Sequence, residues 1–145
     1  MKLGLLLWLA SILPQPSADH ICLASTIYLE ARSESMIGQA AVAEVALRRR
    51  ESGQWGDSLC SVLLARGQFA LSKTSTNYIV DETAAWQDAW VVAGAAMRMW
   101  SLPPRWRVSL VPRADHFFAA SGSTPAWAKG NPLAVIGEHA FYSAN

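Results

Sequence analysis

The stretch Cys22-Leu23-Ala24-Ser25-Thr26-Ile27-Tyr28-Leu29-Glu30-Ala31-Arg32-Ser33-Glu34 carries an apolar helix face straight into a cluster of charge. With Ile21 in front, Ala24, Ile27 and Tyr28 recur at the three-to-four spacing of one helix face. Asp19 offers an N-cap, so a helix is expected from there to about Arg32, with Glu30 in its last turn. Glu30 and Glu34 stand four apart, which on one continuous helix puts both carboxylates on the same face, flanking Arg32. Two readings stand at this point. Such a cluster is a solvated helix end, or it holds a carboxyl at a cleft edge, where partial burial raises the pKa and keeps the proton on near neutral pH.

Working outward, Ala41, Val42, Val45 and Ala46 predict a second helix from Ile37 or Gly38 to about Arg49, with Arg48 to Arg50 facing its C-terminal dipole and Gly53 ending it. A short helix is expected over Asp57 to Leu64, with Leu59, Val62 and Leu63 inward, before Gly67 turns the chain into an extended piece. Asp81 is placed to cap the longest helix, whose stripe Trp86, Trp90, Ala93, Met97 and Trp100 has a core-facing rhythm, and Pro103-Pro104 stops it. Beyond, the aromatic segments 116–119 and 136–142 read as strands or extended arms around the loop from Ser121 to Pro132. The fold class expected is mainly α (α+β): one domain with a small extended β lobe, and a cleft between the lobes in which a polymer can lie.

The 145 residues leave room for one domain, and 52% apolar against 16% charged residues argues for a packed core. Twelve basic and eleven acidic residues, with no basic stripe, make nucleic acid an unexpected partner. Met1-Lys2, the apolar run Leu3 to Leu13, and the breaker and small residues Pro14 to Ala18 have the make-up of an export signal. Residues 1–18 are therefore read as a signal, cleaved or kept as a weak anchor, and residues 19–145 as the one folded domain of a monomer. A buried N-terminal helix is the other reading of the same segment. In an exported chain Cys22 and Cys60 invite a disulfide; in a reducing compartment they would be two buried thiols.

Other chemistries find little support. His116 and His139 share no metal-ligand spacing with another candidate, and a histidine in an aromatic strand is ordinarily a hydrogen-bonded core residue, so neither metal nor cofactor is expected. No Gly-x-Ser-x-Gly elbow is present for a serine nucleophile.

The opening stretch followed by Gly38-Gln39-Ala40-Ala41-Val42-Ala43 resembles the first motif of the SleB/CwlJ-type cell-wall hydrolases. Trp55-Gly56-Asp57-Ser58-Leu59-Cys60-Ser61-Val62, then Gly67-Gln68-Phe69, then Ala114-Asp115-His116-Phe117 leading through Pro125-Ala126-Trp127 to Ile136-Gly137-Glu138-His139-Ala140-Phe141-Tyr142, follow in the same order. The resemblance implies a lysozyme-like or lytic-transglycosylase-like fold, with Glu30 matching the catalytic glutamate. Two departures are Ser33-Glu34-Ser35, where the family has Gly then Glu-Pro, and Ala70, where it has serine.

From that resemblance the expected activity is cleavage of the β-1,4 bond between N-acetylmuramic acid and N-acetylglucosamine in peptidoglycan. A lytic transglycosylase needs one glutamate as acid and then base, whereas a simple muramidase needs a second carboxylate, for which Glu34 is the candidate. A glycan-binding protein that does not cut is the non-enzymatic alternative. Glu34, Gln68, Phe69 and Tyr142 are the expected substrate contacts. The setting would be the periplasm or cell wall, in wall remodelling or in phage lysis of a host.

Overall fold

The computed structural model describes residues 1–144. Helices α1 (Leu3–Ile12), α2 (Gln15–Ala31), α3 (Met36–Ser52), α4 (Leu59–Leu64), α5 (Ala70–Lys73) and α6 (Thr83–Trp100) precede strands β1 (His116–Ala119), β2 (Ala134–Ile136) and β3 (His139–Tyr142). The result is a mainly helical α+β fold, as the sequence led us to expect.

Helix α2 is the hub. It is buried almost all round, from Ala18 through Cys22, Leu23 and Ile27 to Ala31, because α1, α3, α4, α5 and α6 all pack on it. It begins four residues before the expected cap, at Gln15, with Pro16 in its first turn, where a missing N–H costs nothing. Asp19 thus lies within α2 and caps a different helix: its Oδ1 accepts from the Cys60 N–H at 3.1 Å in the first turn of α4, and its Oδ2 lies 3.6 Å from Arg50. Beside that contact Cys22 and Cys60 form a disulfide, with Cα atoms 5.3 Å apart.

The segment read as an export signal is α1 and the first residues of α2. Leu3 and Leu6 are buried, and the chain just before and within α1 pairs with residues 76–80 through Leu3 N–H to Tyr78 O and Gly4 N–H to Thr76 O. Leu5, Trp8 and Ile12 face outward. Among the described residues no helix is long and apolar enough to cross a membrane.

Helix α3 runs from Met36, capped by the Ser35 hydroxyl on Gly38 N–H, to Ser52, and Gly53 ends it in the left-handed region at φ 73°. Its buried Glu44 pins the loop before β1, accepting from Ser109 Oγ at 2.7 Å, Leu110 N–H at 2.8 Å and Val111 N–H at 2.9 Å, beside Arg48. Removing that carboxylate leaves two backbone donors unsatisfied and Arg48 without its ion-pair partner, though still bonded to the Val111 and Ala114 carbonyls. We expect Glu44→Ala to cost about 2–3 kcal/mol in urea unfolding.

Three expectations shift. The piece after Gly67 is extended only at Phe69 before α5 begins. The N-cap of α6 is Glu82, not Asp81, without a side-chain bond. The buried face of α6 is Ala89, Val92, Ala93, Gly94 and Trp100, rotated from the tryptophan stripe because the helix packs on both α2 and α3. Trp90 is consequently 38% exposed and stacks on His20, ring centroids 3.6 Å apart.

Segment 136–142 contains a turn, so β2 and β3 form an antiparallel hairpin, and β3 lies between β1 and β2 with Phe117 opposite Phe141 and Val135 opposite Ala140. All four β3 residues are buried, and Phe141 carries the sheet into the common core against the helices.

Candidate active site

Between the helical body and the sheet lies a cleft of about 530 Å³. Leu29 and Glu30 of α2, Arg49 of α3, Gly67, Gln68 and Lys73 around α5, His116 to Ala119 of β1, Pro125 and Trp127 of the following loop, and His139 of β3 line it. Glu30 is the one carboxylate among them.

Glu30 occupies the last turn of α2, half in the wall and half in the cleft. Its Oε1 accepts the Ala70 N–H at 2.7 Å, a donor that is free because it belongs to the first turn of α5. Ala70 therefore serves through its backbone, so the methyl in place of a hydroxyl leaves this contact intact. Ser33 causes no backbone difficulty either, because Arg113 is the one non-glycine residue with positive φ among those described. Burial raises the Glu30 pKa above the ordinary carboxyl range, and the Ala70 N–H, His139 and Lys73 pull it back only in part. A carboxyl in that condition keeps its proton at pH values where an exposed glutamate has lost it.

Glu34 lies elsewhere. Because α2 stops at Ala31, the expected shared helix face does not form, and Glu34 turns beneath the β2–β3 hairpin. There its Oε1 accepts the Glu138 N–H at 2.8 Å and lies 3.3 Å from His139 Nδ1, near enough for a charge contact but not aligned as a hydrogen bond. Gly137 bends the hairpin at φ 56°, and a Cβ there would collide with the Glu34 carboxylate, so only glycine fits. Glu34→Gln retains the turn acceptor, and any rate at which the parent cuts glycan should survive it within about threefold. Glu34→Ala loses the acceptor and should cost about 1–2 kcal/mol in urea unfolding. A second catalytic carboxylate would behave differently, since the amide alone would cost about a hundredfold or more in rate.

Of the other expected contacts, Gln68 lines the cleft and accepts from Arg49 Nη1 at 3.1 Å. Phe69 is 1% exposed and packs beneath the cleft against Phe117. Tyr142 stands behind the cleft wall, stacked on Phe118 at 5.7 Å and edge-on to Trp127 at 5.8 Å.

His116 and His139, read from sequence as core residues, both border the cleft; His116 Nδ1 meets Asp115 Oδ1 at 2.8 Å. The sequence reading did not single out Arg49 or Lys73. Arg49 left a signal, because it continues the Val42, Val45, Ala46 face and so is an arginine on an apolar stripe. Its Nε donates to Asp115 O at 2.7 Å, and its guanidinium lies against the Trp55 and Phe69 rings at 4.8 and 4.9 Å. Burial pushes its pKa down to about 10, against the pull of Asp115.

A second groove, of about 350 Å³ between α3 and α6, is walled by apolar side chains such as Ile37, Val91, Met99 and Leu110. Its one ionisable group, Glu44, is already engaged, so it offers little to a polar saccharide.

A family model described as Cell Wall Hydrolase matches residues 33–142, beginning three residues after Glu30. No curated protein and no solved structure matches the chain significantly.

Proposed function

The chain belongs to the cell wall hydrolase family, and from that premise we propose that it cuts the glycan strand of peptidoglycan at the muramic acid to glucosamine bond, with Glu30 as its acid. One observation carries this reading: a single carboxyl, its pKa raised by burial, opens onto a polar cleft that has no second carboxylate in its lining. Oε1 is held by the Ala70 N–H, and no protein donor reaches Oε2 among the described residues, which leaves that oxygen to carry a proton toward a substrate.

The reaction that suits one carboxyl is lytic transglycosylation. Glu30 gives its proton to the bridging O4 as the bond to the muramyl C1 breaks, and the ring gains oxocarbenium character. The now ionised Glu30 takes the proton of the muramyl C6 hydroxyl as that oxygen bonds to C1. The product is a 1,6-anhydro ring, and no water enters the glycan. The attack is intramolecular, so correct ring placement supplies much of the acceleration. Phe118 and Trp127 offer apolar ring faces for a sugar, and Gln68 a polar edge.

The test is clearance of purified sacculi. The parent should clear a turbid suspension and release glycan fragments, while Glu30→Gln should bind the sacculi and leave them intact. Binding without clearance by the parent would make the protein a glycan-binding module instead.

The cell wall lies outside the cytoplasm, and we take residues 1–18 as the segment that directs export. The intact mass of the exported protein will read whether that segment is removed near Ala18 or stays attached as a weak anchor.

A further inference from the structure

The cleft carries more positive charge than its chemistry needs. Around the one carboxyl stand Arg49 and Lys73, with His116 and His139 beside them. Lys73 is exposed at the cleft rim and forms no ion pair among the described residues, yet its charge reaches Glu30. Arg49 is 4% exposed, and its hydrogen bonds go to a backbone carbonyl and an amide oxygen, with aromatic faces around it. The nearby Asp115 carboxylate, which also engages His116 and the Ala144 N–H, attracts the Arg49 charge without offsetting the cost of its burial. A buried cation with neutral hydrogen-bond partners is a costly arrangement that an anion in the cleft would relieve. The chain as a whole is close to neutral, so this concentration of charge is local to the cleft.

We propose that the cleft selects glycan whose muramyl residue carries a free lactyl carboxylate, that is, strands from which the stem peptide has been removed. This rests on the glycan-cleaving reading above. The lactyl ether is attached at C3, two ring carbons from the C1 that reacts, so a muramyl ring presented to Glu30 brings that carboxylate among the charges surrounding Glu30. In peptide-bearing strands the same carbonyl is a neutral amide. The reaction that supplies the better substrate is therefore hydrolysis of the lactyl amide, an amidase step preceding this one, while peptide-bearing sacculi are cut more slowly. The substrate carboxylate also has a chemical effect. By neutralising Lys73 it removes one influence that lowers the Glu30 pKa, and it helps hold the proton on Glu30 until transfer.

The test is binding by full-length Glu30→Gln, which leaves the glycan uncut. Three probes are compared: peptide-free glycan, the same glycan with its lactyl carboxylates converted to neutral amides, and peptide-bearing glycan. Peptide-free glycan should bind about tenfold or more tightly than either of the others, as expected of a charge-assisted contact. Adding Lys73→Gln, at an exposed position that tolerates change, should shrink that ratio to about threefold or less. Equal binding of the free and amidated glycans overturns the proposal, as does a ratio that survives Lys73→Gln. Peptide-bearing glycan binding as tightly as peptide-free glycan overturns the lactyl assignment in favour of stem-peptide carboxylates. Parent kinetics separate the two readings. Selective binding without cleavage by the parent refutes the enzyme reading alone, whereas equal kcat/KM on free and amidated glycan refutes the selectivity alone.

Discussion

Glu30→Gln will lower glycan cleavage by about 10³–10⁴-fold and, at neutral pH, will raise the melting temperature. The rate loss reflects two proton transfers that pass through one carboxyl, each of the size general acid–base catalysis supplies. The stability gain follows from the sign of the pKa shift. Burial raises the folded-state pKa of Glu30 above its unfolded value, so its favourable contribution is present at low pH and lost as pH rises through the raised pKa. Above the unfolded-state pKa, folding must either put a proton on this carboxyl or bury its charge, and both oppose the fold. Glutamine keeps an oxygen for the Ala70 N–H and carries no charge to bury. Circular dichroism melts of parent and variant at pH 4.5 and 7.5 check this, with the difference in melting temperature larger at the higher pH. The same shift sets the alkaline limb of the parent's activity, which should fall as Glu30 loses its proton, and Lys73→Gln should move that limb upward. An inactive variant that also melts lower at pH 7.5 would mean that Glu30 holds the fold together.

Loss of the Cys22–Cys60 disulfide is the largest stability effect expected. The bridge spans 38 positions of chain, and closing a loop of that size restricts the unfolded state by about 4 kcal/mol in the chain-entropy model. The double variant Cys22→Ala with Cys60→Ala avoids placing a hydroxyl at fully buried position 22. It should lose about 3–4 kcal/mol, or roughly 10 °C in melting temperature for a domain of this size. Activity at 20 °C should survive, because Glu30 is held by α2 packing and by the Ala70 N–H rather than by the sulfurs. Thiol reductant should reproduce the shift in the parent and leave the variant unchanged. An unaltered melt on reduction would show that the bridge contributes little to this fold.

The helices were legible because their apolar spacing and stop signals are local: Gly53 ends α3, and Pro103-Pro104 follow α6. The β1 segment was legible from its aromatic, strand-favouring residues. Where reading failed, the deciding contact was distant in sequence. Asp19 has the chemistry of a cap, but the helix it caps begins forty residues later. Spacing paired Glu34 with Glu30, yet Glu34 is claimed by the Glu138 N–H and His139 across the whole domain. His139 and Arg49 look like core and helix-end residues, and only the meeting of α3, α5 and the sheet makes them cleft lining. Glu30 itself needed both kinds of information: the motif resemblance singled it out, and burial beside the Ala70 N–H supplies the physical reason that it can act as an acid.

The central claim is that one protonated carboxyl, Glu30, cleaves the glycan without admitting water. Digesting purified sacculi in ¹⁸O-labelled water and weighing the released fragments tests it directly. The account predicts muramyl ends lighter by one water and free of label. Labelled reducing ends, or label confined to peptide fragments, would contradict it.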